Sequence, residues 1–148
     1  MHLHQNVYSA DTFNNLTDTY EYDYGDTTGS PGPLLKHVHT NYVTDSGYTQ
    51  TPVHLESLVS SQTIDGGGAV LSQTQYCHDE ATPSGGTASI PSCGAAGSQR
   101  GNATTVQRWR NIDGLWLNTA TKYDANGNPI SVQTPLGHTT TSTYTVSV

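Results

Sequence analysis

The chain has 148 residues and a formal net charge of −7, five Lys plus Arg standing against twelve Asp plus Glu. That length sets a single domain, residues 1–148, and the charge excludes a nucleic-acid or anionic-membrane surface, because no basic patch can be assembled. Apolar residues make up only 32%, while nine tyrosines and abundant Ser and Thr suit half-buried sheet, so an all-β fold with a thin core and almost no helix is expected.

The start, Met1-His-Leu-His-Gln5, lacks the charged and apolar parts of a signal peptide. No run of about 18 apolar residues follows anywhere, so no membrane span is expected. A first turn-and-strand unit lies at Tyr8-Ser-Ala-Asp11 with Asn14-Asn15-Leu16-Thr17. Then Thr19-Tyr20-Glu21-Tyr22-Asp23-Tyr24 alternates strictly, which in a strand puts the tyrosines on one face and Glu21 and Asp23 on the other. A turn from Gly25 to Pro33 and a return strand from Leu34 to Val43 complete a hairpin.

The Tyr-then-Asp element recurs at Tyr42-Val-Thr-Asp45-Ser-Gly47 and, with Ile64 for tyrosine, at Ile64-Asp65-Gly66-Gly67-Gly68. Asp23, Asp45 and Asp65 thus follow a repeat-like period. A fifth unit begins at Tyr76-Cys77-His78-Asp79, His78 standing where Tyr22 stood, and resumes at Arg100-Gly101-Asn102. Between them Glu80–Gln99, rich in Pro, Ser, Gly and Ala, reads as a flexible insertion. Cys77 and Cys93 flank most of it; a disulfide closing the 15 residues between them would stabilise by about 3 kcal/mol, and the alternative is two unpaired thiols. Thr104–Trp109 alternates again, and Asn111-Ile-Asp113-Gly114 is a hairpin turn across which Trp109 and Trp116 can pack.

The last unit is the clearest. Tyr123-Asp124-Ala-Asn-Gly127-Asn128 is a tight turn, Ile130–Thr134 alternates, Pro135-Leu-Gly137-His138 turns again, and a Thr-rich run ends at Tyr144 and Val146. These residues resemble the tyrosine-aspartate (YD) repeat of the Rhs family, in which Tyr-Asp opens a turn closed by Gly-Asn and a Pro-Leu-Gly turn precedes a Thr/Tyr strand. The resemblance implies about six degenerate antiparallel β-hairpin repeats laid side by side. A curved sheet, a small barrel or a sandwich would accommodate them. It also implies a structural role, as an arc of the hollow shell that encloses a toxin in bacteria or serves adhesion in animals, with the parent polypeptide secreted or on the cell surface. Its partners would be the rest of that polypeptide, or further copies pairing at the open sheet edges.

Histidine supplies the one constellation with chemistry. His2-Leu-His4 and His37-Val-His39 each place two imidazoles on one strand face, a spacing that suits two ligands of a zinc ion. If the pairs meet, a zinc with an open position makes a zinc-dependent hydrolase of activated esters or phosphoesters the alternative to a structural role. Filling polar strand positions is the plainer use of the same residues. His54 and His138 would join only if the fold brings them close. The pairs Glu21/Asp23 and Asp79/Glu80 read as solvated carboxylates, and no Gly-x-Ser-x-Gly occurs. Adjacency of Cys77 and His78 does not make a dyad, and Gly66-Gly67-Gly68 is a turn, lacking the lysine of a phosphate loop.

Overall fold

The computed structural model describes residues 2–10, 13–26 and 28–145. Among them a single antiparallel sheet runs through β1 (Leu3–Tyr8), β2 (Leu16–Tyr22), β3 (Leu34–Tyr42), β4 (Val59–Gly66), β5 (Ala69–His78), β7 (Ala103–Trp109), β8 (Trp116–Tyr123), β9 (Pro129–Gln133) and β10 (Thr139–Thr141). The short β6 (Gly86–Ala88), from the insertion, pairs with the first half of β8. β1 and β10 are the two edges, so the sheet is open and neither a barrel nor a sandwich forms.

Local chemistry accounts for the turns. Gly67 and Gly68 take φ of 59° and 82° between β4 and β5, a left-handed backbone that glycine adopts without a Cβ penalty. The turn before β9 and the turn before β10 share one hydrogen-bond pattern: Asp124 N–H donates to the Asn128 carbonyl and Thr134 N–H to that of His138, each at 2.9 Å. In both, the glycine in fourth position, Gly127 or Gly137, has φ of 85°. Trp109 and Trp116 are direct partners across the β7–β8 hairpin.

A second regularity sits at the strand ends. The last residue of β1, β2, β3, β5 and β8 is Tyr8, Tyr22, Tyr42, His78 or Tyr123, and the pairing register slips by a bulge at each. A bulge re-aims a side chain, and at three of the five the ring reaches a carbonyl of the preceding strand. Tyr42 Oη donates to the carbonyl of Leu16, His78 Nε2 to that of Val59 and Tyr123 Oη to that of Ala103, at 2.8, 2.8 and 3.0 Å. Tyr144, just past β10, donates to the Pro129 carbonyl at 3.2 Å. Every acceptor is the first residue of its strand.

At the third expected unit the chain departs from a hairpin turn. Asp45 caps a one-turn helix, α1 (Ser46–Thr49), by accepting from Gly47 N–H at 2.7 Å. An Asp side chain serves an N-cap as readily as a turn, and burial of Tyr48 against the end of β5 decides for the helix. Asp11 of the first unit and Val146 at the end of the last lie outside the described residues.

The core is thin, as the composition requires. Tyr48, Cys77 and Ala120 are its buried apolar members, beside Thr104, Thr105, Gln107 and Asp79. Burying a ring such as that of Tyr48 contributes about 2 kcal/mol. The insertion is fastened to this core: Cys77 is bridged to Cys93, and Gln107 Nε2 donates to the Ser92 carbonyl at 3.1 Å. Glu80 accepts from the hydroxyls of Thr104 and Thr105 and from Gly94 N–H. The Glu80–Gln99 segment is thereby laid across β5, β7 and β8.

Candidate metal centre

Pairing register brings together residues from β2, β3 and β4. Asp18 lies opposite His39 and Tyr20 opposite His37, while His37 lies opposite Asp65 and His39 opposite Thr63. Residues paired across strands share a face, and alternate residues of one strand share it too. Asp18, Tyr20, His37, His39, Thr63 and Asp65 therefore stand on one face of the sheet. Thr19, Glu21, Lys36, Val38 and Ile64 stand on the other.

Both histidines converge on one carboxylate oxygen. His37 Nε2 is 2.8 Å and His39 Nδ1 2.7 Å from Asp18 Oδ1. The outward nitrogens are held as well, His37 Nδ1 by Asp65 Oδ2 at 2.9 Å and His39 Nε2 by Asn41 Oδ1 at 3.1 Å. Tyr20 lies flat on the His37 ring, centroids 4.3 Å apart and planes 4° from parallel, which fixes its tilt. The side chains of Asp18 and His37 are 16% and 19% exposed and that of His39 is 41% exposed, so the group is walled by β2 and β4 and open beside His39.

Electrostatics follow the same contacts. Burial by itself pushes the Asp18 carboxyl up, but hydrogen bonds with His37, His39 and Thr17 outweigh it and hold the group below the ordinary carboxylate range. For His37 burial works against the charged ring, and hydrogen bonds to Asp18 and Asp65 outweigh it, so its pKa rises. Tyr20 is pushed up by desolvation and by the neighbouring charge of Asp18.

The other histidines lie elsewhere. His4 pairs with Glu21 in β1 and so faces the opposite side of the sheet from His37 and His39; the two His-x-His pairs do not meet. His2 precedes β1, its ring 6.1 Å from that of Tyr24. His54 sits in the segment between α1 and β4 beside Glu56, and His138 closes the turn before β10. Sequence reasoning missed Asp18, Asp65 and Asn41. Asp18 continues the alternation of Tyr20 and Tyr22, a signal for its face but not for its partner strand.

The carboxylates singled out in pairs are engaged in architecture. Glu21 bonds Lys36 at 3.3 Å, on the face away from the histidines. A cleft of about 340 Å³ between the insertion and the Tyr123-Asp124 turn is lined by Asp79, Glu80, Arg100, Lys122 and Asp124, among others. Asp79, 7% exposed, accepts from the N–H groups of Arg100, Gly101 and Asn102, and Asp124 from those of Asn126 and Asn128. Their lone pairs are spent on holding loops. Among the described residues, Asp18, His37 and His39 are the group whose side chains could hold a metal ion: one ligand atom from each lies within 4.8 Å of the others. Comparison with protein-family models, with curated proteins and with solved structures finds no match.

Proposed function

We propose that this chain is a wall segment of the YD-repeat type, whose work is to extend a β-sheet rather than to transform a substrate. What carries the reading is the strand-end unit. A tyrosine or histidine at the end of a strand donates to the first carbonyl of the preceding strand four times along the sheet, three times from a bulge and once, at Tyr144, from just past β10. Twice a Tyr-Asp or His-Asp pair at that place opens a turn closed on Asn, once directly and once around a 20-residue insertion. Apart from the insertion, each strand of the array pairs only with its neighbours in the sheet and a pairing edge is left at each end, which is the physics of an extensible repeat array.

In this reading the partners are adjoining repeats at β1 and β10, within a longer Rhs-type polypeptide or in a second copy. The Cys77–Cys93 disulfide agrees with an exported or surface-exposed wall. The Asp18–His37–His39 group is then an addition to the wall rather than its purpose.

The reading is tested by joining two copies in tandem and following thermal unfolding. A wall-forming repeat gives a single transition above that of one copy, because the new β10–β1 interface adds a nearest-neighbour term. Two halves unfolding independently at the single-copy temperature would overturn it.

A further inference from the structure

We infer that Asp18, His37 and His39 bind one divalent transition-metal ion, zinc by preference, which ties β2 to β3 on the open face of the sheet. The argument starts with hydrogen-bond accounting. When His37 Nδ1–H donates to Asp65 and His39 Nε2–H donates to Asn41, the inner nitrogen of each ring presents a lone pair. Each of those nitrogens stands 2.7–2.8 Å from Asp18 Oδ1, and one ligand atom from each of the three residues lies within 4.8 Å of the others. Such contacts need a cation between the bases: a proton serves each His–Asp contact singly, and a divalent metal ion that displaces those protons serves all three donors at one point.

The dimensions are close to those needed. Zinc bonds of about 2.0–2.2 Å in tetrahedral array separate donors by about 3.3 Å, so the two Asp18–histidine contacts have to open by roughly half an ångström. The rotamers of Asp18 and His39 can supply that opening, since both side chains rise from the same sheet face and His39 borders solvent. Two imidazoles and one carboxylate select zinc or a neighbouring first-row ion over magnesium and calcium, which prefer all-oxygen shells. Asp65 and Asn41 act one layer out, by orienting the rings toward the ion. Tyr20 packs against His37 and keeps its plane. The remaining positions of the ion would be filled by water from the side of His39.

The test is calorimetric titration of tag-free, chelator-treated protein with zinc chloride, and in parallel with cobalt, magnesium and calcium chlorides. One equivalent of zinc is expected to bind in the micromolar range or tighter, cobalt to bind with a visible ligand-field band, and magnesium and calcium to give no saturable heat. His37→Ala and His39→Ala should each remove saturable zinc binding. Asp65→Asn should weaken it by about 10- to 100-fold, and the His2→Ala, His4→Ala double variant should leave it unchanged. A wild-type measurement guards against variants that fail to fold: in NMR titration zinc should move the ring signals of His37 and His39 ahead of those of His2, His4, His54, His78 and His138. No zinc binding by the wild type at millimolar zinc, or binding that survives loss of His37 and His39, would overturn the inference. So would ring signals of His2 and His4 moving first. None of these outcomes bears on the tandem-repeat test of the wall.

Discussion

Asp79 and Asn102 make across 23 residues the closure that Asp124 and Asn128 make across four: in each pair the aspartate N–H donates to the asparagine carbonyl at 2.9 Å, and the aspartate carboxylate accepts the asparagine N–H. The turn survives the insertion because its closing bonds lie at its two ends. Whatever is threaded between Asp79 and Arg100 has only to leave and return at the same place.

Asp79 holds that closure alone, whereas Asp124 is helped by solvent. Asp79→Ala leaves the N–H groups of Arg100, Gly101 and Asn102 without their acceptor in a buried setting, and should destabilise by about 3 kcal/mol or more. Asp124→Ala, where water can replace the lost acceptor, should cost clearly less. Urea denaturation of the two variants checks the contrast, and equal losses would count against it.

Tyr123→Phe deletes only the hydroxyl that reaches the Ala103 carbonyl, and should lower stability by about 1 kcal/mol. Tyr144→Phe, at an exposed position beyond the edge strand, should be close to neutral. Losses of the same size would show that the strand-end bond matters no more inside the sheet than at its rim.

Reduction should act through the insertion. Cys93→Ser frees the segment that covers Gln107 and Thr105, and is expected to destabilise by about 3 kcal/mol, with enhanced hydrogen exchange at Ser92 and Gln107. A denaturation midpoint indifferent to reductant would refute this.

Alkaline stability should depend on Tyr48. Burial in the first place, and then the charge of Asp79, push its phenol from the ordinary value of 10 up to about 12. A raised value in the folded protein means stability that is complete below the ordinary value and lost as pH climbs from 10 to about 12. Between about pH 9 and about pH 11 the wild type should therefore lose more unfolding free energy than Tyr48→Phe does. Parallel losses in the two proteins would dismiss Tyr48 as the cause.

Much of the β framework was legible from local pattern alone. Two-residue alternation at Thr19–Tyr22, the glycines at Gly67, Gly68, Gly127 and Gly137, and the split between Asp79 and Asn102 each specify a strand or a turn without reference to distant residues, although the strand stops at Tyr22 and leaves Asp23 and Tyr24, which continue the alternation, outside it. The bridge between Cys77 and Cys93 was open on sequence grounds, since spacing permits a disulfide without requiring one. Asp45 was misread, because the same side chain chemistry caps a helix and opens a turn, and the choice lay with the packing of Tyr48.

The chain by itself determined the all-β class, the glycine-bearing turns before β5, β9 and β10 and the place of the insertion, because backbone φ, side-chain alternation and turn hydrogen bonds are properties of a few consecutive residues. Only the tertiary structure decided which histidines meet. Side-chain face depends on register, and a one-residue slip sends a whole strand's side chains to the other side. Register places Asp18 opposite His39 and Asp65 opposite His37 and turns His4 away, for strands whose order and offset no local pattern contains.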